Sequence, residues 1–500
     1  MNARLLGLGA VLLVAGVAVV AVVAATGTEQ TSRPAVSQPH RVRAEEPPVI
    51  ESRNGLLRTT FTVEERSVTI AGARVRRAKT YQGELIGPTL RVKPGDTIEI
   101  RLVNRLGEPT NLHLHGFHVS PRGIADNVLR VMPPGTDNIV RVKIHRPLPP
   151  GTYWYHSHMH GRTEEQIASG LSGVIVVDSL AERLPRALRN IPDRVIALKD
   201  AQIRDGAIRT TRLDIAKPTT RTVNGLVDPL LRARTNQTQL LRLANISSGI
   251  TYRLQLDGVR FAVIAEDANP VGRVWRAAIL VVPPGKRYDV LVRWPRPGTY
   301  RLRTLRYQTG PGGDSFPETR LATVRVEGRT VAHVAWPRAL GPMPQLGRAR
   351  IARVRHFTLG ENDKAGKYFI NGNMFNPRRV DTVSKLGAYE EWVVRNATSE
   401  DHPFHIHVND FQVMSINGRP YGARGLQDTV NVPARGVARL RTHLADFVGP
   451  VLYHCHIGEH EDGGMMGLLQ ITRTGRRAPL PSQSVPGAPH AAHADAPTGS

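Results

Sequence analysis

The chain has 500 residues, 40% of them hydrophobic, which is enough for several domains with sizeable cores. Its formal net charge is +25, but no basic cluster is interleaved with aromatic residues, which argues against a nucleic-acid-binding protein and leaves anionic wall polymers, lipid head groups or a merely solvated surface. Short runs of Val, Ile and Leu are separated by 46 glycines and 37 prolines, a pattern that favours an all-β chain over long helices.

The first 25 residues contain an uncharged apolar run from Leu5 to Ala25 after a single Arg4. This is the pattern of an export signal, and it is long enough to span a bilayer, so that both a signal peptide cleaved after Ala25 and a membrane anchor are open. We therefore expect an extracytoplasmic protein that is secreted, periplasmic or anchored to the outer side of the cytoplasmic membrane. Residues 26–53 are polar and proline-containing, and we predict a linker there.

Two motifs recur three times along the rest of the chain. The first is a proline motif that ends in glycine, and its glycines lie 150 and 151 residues apart: Met132-Pro-Pro-Gly135, Val282-Pro-Pro-Gly285 and Val432-Pro-Ala-Arg-Gly436. The second is a turn dipeptide with a proline a few residues later: Gln82-Gly83, Asn224-Gly225 and Asn371-Gly372. The repeat predicts three homologous β-sandwich domains, at residues 54–180, 190–328 and 350–473. Residues 474–500 are rich in Pro, Ala, Ser and Gly and are predicted to be a disordered tail.

Histidines with a spacing of two mark the first and third predicted domains. Side chains alternate along a strand, so His113 and His115 share one face, as do His156 and His158. In the third domain His405 and His407 share a face, whereas His402, three residues earlier, points the other way. The middle domain has no such pair and is expected to be architectural, holding its two neighbours at the right distance.

The stretch from Val451 to Gly467 contains the single cysteine. His454 and His456 point to one face of the strand, and Cys455 points to the other, on the side predicted for His402. Adding His460 and a methionine gives a thiolate, two imidazoles and a thioether, the ligands of a blue-copper electron-transfer site. Spacing alone does not choose between Met465 and Met466.

The remaining histidines are too many for one ion. Eight imidazoles predict a cluster of three coppers, two with three imidazoles each and one with two, with open positions for oxygen: His113, His115, His156, His158, His405, His407, His454 and His456. The strand that contains Cys455 would thus serve two metal sites.

At these residues the chain resembles the three-domain multicopper oxidases, the family of laccases, bacterial copper-efflux oxidases and ferroxidases. The resemblance extends from about Tyr81 to Thr472, and all four histidine motifs match. It implies three consecutive cupredoxin-like Greek-key β-sandwich domains that bind four coppers, one of type 1, one of type 2 and two of type 3.

The resemblance also implies the distribution of the ligands. The type 2 copper would be bound by His113 and His405, one type 3 copper by His115, His156 and His456, and the other by His158, His407 and His454. The type 1 copper would be bound by His402, Cys455 and His460, with Met465 as axial ligand because it lies ten residues after the cysteine.

The activity implied is the one-electron oxidation of a reducing substrate, four times over, coupled to reduction of O2 to two waters. Asp126 and Glu461 match acidic residues that the family keeps near the copper cluster, and we expect them to relay protons; the alternative is that both are surface carboxylates. Phenols or aromatic amines are favoured as substrates, because the eight methionines are scattered and form no methionine-rich insert.

Two other functions are alternatives. The first is a metallo-oxidase that acts on Fe(II) or Cu(I), with Glu400 and Asp401 next to the type 1 site. The second and more distant one is a copper-free structural protein of the cell envelope, which would be expected to have lost ligands; none is missing here.

Overall fold

The computed structural model describes residues 46–209, 213, 217–422 and 425–480. Over these ranges the chain forms three consecutive units, each built from two β-sheets around its own apolar core. The prediction of an all-β chain of three β-sandwich domains is confirmed. Residues 1–25, with the predicted export signal or anchor, lie outside the described residues. Within the described ranges, no helix has the length and apolar character needed to cross a membrane.

The first domain contains nine strands and one short helix. They are β1 (Val49–Glu51), β2 (Leu56–Ile70), β3 (Ala73–Tyr81), β4 (Gly87–Val92), β5 (Thr97–Asn104), β6 (His113–His115), β7 (Asp137–Lys143), β8 (Gly151–His156), α1 (Thr163–Ser169) and β9 (Ser172–Val177). Strands β3, β2, β5 and β7 form one sheet, and β1, β4, β9, β8 and β6 form the other. Two 3₁₀ helices, Ala181–Arg183 and Arg186–Leu188, lead to the next domain.

The middle domain begins with β10 (Asp193–Ala201), and a small hairpin, β11 (Ile203–Arg204) and β12 (Ala207–Ile208), extends the sheet of the first domain beside β3. Its further strands are β13 (Thr220–Val223), β14 (Leu230–Ala233), β15 (Thr238–Asn245), β16 (Tyr252–Leu256), β17 (Phe261–Glu266), β18 (Asn269–Ala277), β19 (Ile279–Val282), β20 (Arg287–Arg293), β21 (Gly298–Thr304), β22 (Tyr307–Gln308), β23 (Ser315–Phe316) and β24 (Thr319–Val326). One sheet has the order β13-β10-β15-β20-β17-β18 and the other β14-β24-β21-β16-β19.

One 3₁₀ helix, Leu346–Arg348, precedes the third domain, and another, Asp363–Ala365, lies within it. Its elements are β25 (Arg353–Asn362), β26 (Lys367–Ile370), β27 (Thr382–Lys385), β28 (Tyr389–Asn396), β29 (His402–Ile406), β30 (Phe411–Ile416), β31 (Arg419–Pro420), β32 (Leu426–Gln427), β33 (Thr429–Val432), β34 (Val437–His443), β35 (Gly449–Cys455), α2 (Gly458–Asp462) and β36 (Met466–Thr472). The sheet β27-β36-β35-β29-β33 carries the histidines and the cysteine.

The repeated motifs form the same turns in all three domains. Both residues of each predicted turn dipeptide have positive φ, as a tight turn between twisted strands requires: 59° and 87° at Gln82-Gly83, 54° and 81° at Asn224-Gly225, and 54° and 76° at Asn371-Gly372. In the proline motif, Gly135 and Gly285 have φ of 72° and 83°, but in the third domain the residue with positive φ is Arg435, at 57°, and not Gly436. In the third domain, the residue with positive φ thus lies one position before the glycine that the sequence repeat aligns with Gly135 and Gly285.

The predicted linker is wrong at its C-terminal end. Val49 to Glu51 pair in parallel with β4, and Ile50 packs against the core of the first domain. The reason is the apolar pair Val49-Ile50, which follows two prolines that keep the chain extended and can therefore complete a sheet edge.

The predicted disordered tail is also wrong over its first residues, 474–480. The Gln470 side chain donates to the Ala478 carbonyl at 2.7 Å and accepts from the Ala478 amide at 2.9 Å, and Leu480 packs against the cluster around Leu452 and Met466. Composition alone could not reveal these contacts, because a few polar bonds and one leucine suffice to hold so short a segment. Residues 481–500 lie outside the described residues.

Candidate metal centres

Two pairs of strands bring the eight histidines together. In the first domain β6 runs antiparallel to β8, with His113 opposite His156, and in the third domain β29 runs antiparallel to β35, with His405 opposite His454. The imidazoles of the two domains meet in one cluster, and each of the eight residues is at most 3% exposed. Alternation along the strands thus turns these side chains toward a common centre, as the sequence predicted.

Nitrogen atoms of different histidines, from the same domain or from two domains, face each other at short distances within this histidine cluster. The Nε2 atom of His454 lies 3.3 Å from that of His158 and 3.1 Å from that of His407, and the three residues form one candidate metal group. On the other side the Nε2 atom of His456 lies 3.2 Å from the Nδ1 atom of His115. Which copper each imidazole binds stays a prediction.

The outer nitrogens of several imidazoles are fixed by hydrogen bonds, which leaves the inner ones free for a metal. The Nδ1 atom of His156 lies 2.7 Å from the Ser157 carbonyl, and that of His405 lies 2.8 Å from the Asp428 carbonyl. The Nε2 atoms of His113, His156 and His405 are buried and have no hydrogen-bond partner in the described part of the chain. Such orphaned nitrogens fit metal ligands, whose ring orientation is set by an outer hydrogen bond.

Burial disfavours the protonated form of several imidazoles in the cluster. Burial and, next, neighbouring histidines hold the pKa of His113, His156, His407, His454 and His456 well below the usual value. Burial likewise lowers the pKa of His158 to about 3. Since a metal binds only the deprotonated ring, these side chains already have the protonation state that a metal requires.

A second group of donors lies within the third domain. The Cys455 Sγ atom is 3.5 Å from the Nδ1 atom of His402 and 3.7 Å from that of His460, and the two nitrogens are 3.2 Å apart. A point equidistant from the three atoms lies about 2.0 Å from each, close to the length of a metal–ligand bond. Burial raises the pKa of the Cys455 thiol well above its usual value, so a bound cation would be needed to favour the thiolate.

The two adjacent methionines lie on different sides of the sheet. Met465 is fully buried in the same apolar cluster as Cys455, and its backbone carbonyl accepts from the Cys455 amide at 3.1 Å. Met466 packs in a separate cluster with Val380, Leu452 and Leu468. Of the two, Met465 therefore has the surroundings expected of an axial ligand.

Both predicted proton-relay residues are buried beside the histidine cluster, rather than being surface carboxylates. The Asp126 carboxylate lies 2.9 Å from the Nδ1 atom of His113 and accepts from the Leu114 amide at 2.8 Å. Burial raises the pKa of Asp126 to about 8, although the Leu114 amide acts against the shift.

The other carboxylate approaches the cluster from α2. The oxygens of Glu461 lie 3.4 Å from the Nδ1 atom of His158 and 3.3 Å from that of His454. Burial and, next, Asp462 raise the pKa of Glu461 well above its usual value. A carboxyl group with a raised pKa can carry a proton at neutral pH, which is what a relay requires.

Sequence reasoning missed a third buried carboxylate, Asp428, and its partner in the middle domain. Asp428 lies 3.0 Å from the Nε2 atom of His115, and the Arg287 guanidinium donates to both of its oxygens at 2.7 Å. Burial raises the pKa of Asp428, but Arg287 and His115 outweigh it and hold the pKa well below the usual value. The only sequence signal was the place of these residues beside the recurring proline motifs.

Three groups from the third domain surround the outer edge of the cysteine site. The Nε2 atom of His460 lies 3.1 Å from a carboxylate oxygen of Glu400, and Tyr368 stacks on the His460 ring at 4.2 Å between centroids. Glu361 lies 3.7 Å from the Nε2 atom of His402, and burial together with Glu400 raises the pKa of Glu361 to about 7. Asp401 instead accepts hydrogen bonds from the Tyr307 hydroxyl and the Ala434 amide, so these contacts tie it to the protein scaffold.

Comparison with known proteins identifies the family. Three multicopper oxidase domain models match residues 62–182, 189–329 and 350–474, which together make up most of the chain. A multicopper oxidase of Staphylococcus epidermidis is 26% identical over 439 residues, covering 85% of this chain and 92% of that protein. The cell division protein FtsP of Xenorhabdus nematophila is 28% identical over 450 residues, covering 86% and 92%.

Solved structures agree with the sequence comparison. A multicopper oxidase from Campylobacter jejuni, described as a metallo-oxidase, has a TM-score of 0.76 at 26% identity and covers 87% of this chain and 96% of its own. A laccase-like multicopper oxidase from Ochrobactrum, with activity towards lignin model compounds, has a TM-score of 0.73 at 26% identity and covers 86% and 100%. The chain described here, with its three cupredoxin-like domains, belongs to the multicopper oxidase family.

Proposed function

We propose that this protein is a laccase-like enzyme that couples four one-electron oxidations of a reducing substrate to the reduction of O2 to two waters. It would use one type 1, one type 2 and two type 3 coppers, held by the residues assigned from the family pattern. The observation that carries the proposal is the position of Cys455 between His454 and His456, because one segment of three residues then belongs to both donor groups.

Copper bound at these donors would supply the one-electron chemistry and the site at which O2 is reduced. The chain itself offers a short connection between the two donor groups. The Nδ1 atom of His454 lies 2.9 Å from the carbonyl oxygen of Cys455, so a hydrogen bond joins the two residues in addition to the peptide chain. Asp126 and Glu461 would hold the protons that the reduction of O2 consumes, at the Nδ1 sides of His113, His158 and His454.

Phenols or aromatic amines are the proposed substrates. The eight methionines of the chain are scattered, and a laccase-like relative acts on lignin model compounds. Electrons would arrive at His460, because it is the most exposed of the three donors of the cysteine site.

A metal ion is the second candidate substrate, and one observation favours it. Glu400 contacts His460 at 3.1 Å, and Glu361 and Glu400 are close enough to raise the pKa of Glu361. A cation between the two carboxylates would relieve their repulsion. It would be separated from His460 only by the Glu400 side chain. The Campylobacter jejuni relative described as a metallo-oxidase agrees with this alternative.

A structural role without copper, suggested by the similarity to FtsP, is the remaining alternative. We favour an enzyme because buried imidazole nitrogens that lack hydrogen-bond partners among the described residues have no evident purpose in a purely structural interior. We further propose that the protein acts outside the cytoplasm, either released or anchored by residues 1–25, and that its net charge of +25 attracts anionic cell-envelope polymers.

Copper content and colour test the proposed activity. Purified protein loaded with copper is expected to bind four ions per chain and to be blue, and Cys455→Ser should lose the blue colour and the oxidase turnover. A Cys455→Ser protein that keeps both would refute the assignment, and a wild-type chain that binds no copper would favour the structural role.

A steady-state comparison of phenol, Fe(II) and Cu(I) oxidation by the copper-loaded protein distinguishes the substrates. Glu400→Gln should lower kcat/KM for Fe(II) at least tenfold if the carboxylates bind a cation, and should leave phenol oxidation within about twofold. Glu327→Gln, which removes a half-exposed carboxylate in the middle domain, is the control. Equal effects on all three substrates would exclude a dedicated cation site at Glu400.

A further inference from the structure

We propose that the turn Gly285–Arg287 of the middle domain is part of the oxygen-reducing centre, where it positions His115 and His456 and orients Asp428. The inference rests on the proposed function and deepens it. It assigns a role at the metal cluster to a domain that contributes none of the predicted ligands.

The backbone of Gly285 lies so close to the histidine cluster that there is no room for a side chain at this position. A Cβ atom at this position would lie 2.8 Å from the Cδ2 atom of His456 and 3.2 Å from the Cε1 atom of His115. These two histidines come from different domains, and their nitrogens are 3.2 Å apart. The backbone of Gly285 therefore forms a wall of the cluster on the side where the first and third domains meet.

Arg287 clamps the carboxylate next to His115. Its guanidinium makes the bidentate pair with Asp428, while its Nε atom donates to the Thr152 carbonyl at 3.1 Å and Nη1 also donates to the Gly285 carbonyl at 3.1 Å. Arg287 is fully buried and so joins all three domains through one planar group. Asp428 is thereby held in the orientation that contacts His115.

Lys286, the neighbour of Arg287, fixes the chain on either side of Asp428. Its ammonium group donates to Asp267 at 2.8 Å, to the Gln427 side chain at 2.7 Å and to the Thr429 carbonyl at 3.0 Å. Asp267 in turn accepts from the amides of Asp428 and Thr429, at 3.2 Å each. Two neighbouring cations of the middle domain thus fix the chain where it enters β33, and Asp428 immediately before this strand faces the cluster.

The same proline motif in the first domain provides a matched control. Gly135 has nearly the same φ as Gly285, 72° against 83°, and makes the equivalent amide contact, to the carbonyl of Asn104 where Gly285 uses that of Asn245. Among the residues that the structure describes, none has an atom within 4 Å of a Cβ atom at Gly135. Gly135→Ala therefore reproduces the backbone strain of Gly285→Ala without a collision with histidines.

The test compares copper-loaded Gly285→Ala and Gly135→Ala with wild type. Gly285→Ala is expected to keep the blue band of the cysteine site but to bind fewer than four coppers, or to bind four with an altered absorption of the type 3 coppers, one of which is assigned to His115 and His456. Gly135→Ala should match wild type in all three measurements. These readouts report on the metal sites directly and require no turnover.

A second pair of variants tests the guanidinium. Arg287→Lys keeps the charge but cannot make the bidentate pair with the carboxylate beside His115, so the absorption of the type 3 coppers should change while the blue band stays. Arg355→Lys is its control, because the Arg355 guanidinium also makes a bidentate pair, donating to the two oxygens of Glu390 at 2.6 and 2.8 Å, and shares no partner with Arg287. If Gly285→Ala does not fold, this pair decides the question by the same criteria.

Wild-type copper content and signals in Gly285→Ala or Arg287→Lys would overturn the inference, and so would equal losses in a variant and its control. A wild-type chain that binds no copper would instead refute the proposed function itself. The two failures are therefore distinguishable.

Discussion

Met465 and Met466 are neighbours in the chain with opposite surroundings. Met465 shares the apolar cluster of Cys455, whereas Met466 packs behind the sheet with Leu452 and Leu468. A thioether sulfur donates weakly to copper and favours the oxidised ion, so only the methionine on the cysteine side can tune the site.

Met465→Leu is therefore expected to raise the reduction potential of the blue site, because removing the weak donor destabilises Cu(II). The volume is nearly unchanged, so the loss of folding stability should be below about 1.5 kcal/mol. Potentiometric titration of the blue band measures the effect, with Met466→Leu as control. A rise in Met466→Leu with none in Met465→Leu would transfer the axial role to the second methionine.

Asp126 is a carboxyl group whose surroundings favour its protonated form. Burial raises its pKa to about 8 in the folded chain, against an ordinary value near 4 in the unfolded chain. Between these two pH values the folded state binds more protons than the unfolded state. Its contribution to stability is therefore complete below about pH 4 and is lost as pH rises through about 8.

Copper-free Asp126→Asn should consequently lose less stability than wild type when pH rises from about 4 to about 8, by at most about 1.4 kcal/mol per pH unit for this one proton. Denaturant unfolding at a series of pH values measures the difference. Asp137→Asn is the control, because Arg101 holds the pKa of the exposed Asp137 below its usual value and that contribution is lost only in acid. Parallel curves for wild type and Asp126→Asn would contradict the assignment.

At the scale of single elements, the repeated turns were predictable and the chain ends were not. All three turn dipeptides end in glycine and two begin with asparagine, residues that tolerate positive φ, so these turns are predictable from the sequence. The third proline motif was misaligned by one residue, because Arg435 has the positive φ that glycine has in the other two domains. The structure of residues 474–480 could not be predicted because it depends on hydrogen bonds to nearby residues such as Gln470. No sequence pattern marks these residues as partners.

This C-terminal segment offers a test of stability. A chain that ends at residue 473 loses the two hydrogen bonds between Gln470 and Ala478 and the bond from Arg477 to the Val380 carbonyl, which is 2.7 Å long. At about 1 kcal/mol for each bond, the free energy of unfolding should fall by about 3 kcal/mol. Thermal or denaturant unfolding checks this, and a chain that ends at residue 480 should match the full chain.

For the whole molecule, the sequence predicted the parts of the site that depend on local alternation and missed those that depend on domain assembly. The histidine pairs and Cys455 could be sorted by strand parity, because neighbouring side chains point to opposite faces. The contacts of Gly285 and Arg287 could not be predicted, because they arise only when the middle domain docks against both others. The expectation of a purely architectural middle domain followed from counting histidines and ignored backbone and counter-charges.

The hairpin of β11 and β12 has a consequence for the order in which the chain folds. It belongs to the middle domain in sequence, yet it lies beside β3, where the Arg76 amide donates to the Gly206 carbonyl at 2.8 Å and the Arg76 guanidinium donates to the Asp205 carbonyl at 2.9 Å. Because a chain is synthesised from its N-terminus, this edge of β3 is exposed until about residue 208 has been made. Open strand edges pair readily with other chains. The period in which the first domain is vulnerable to self-association therefore ends only when the second domain has begun to form.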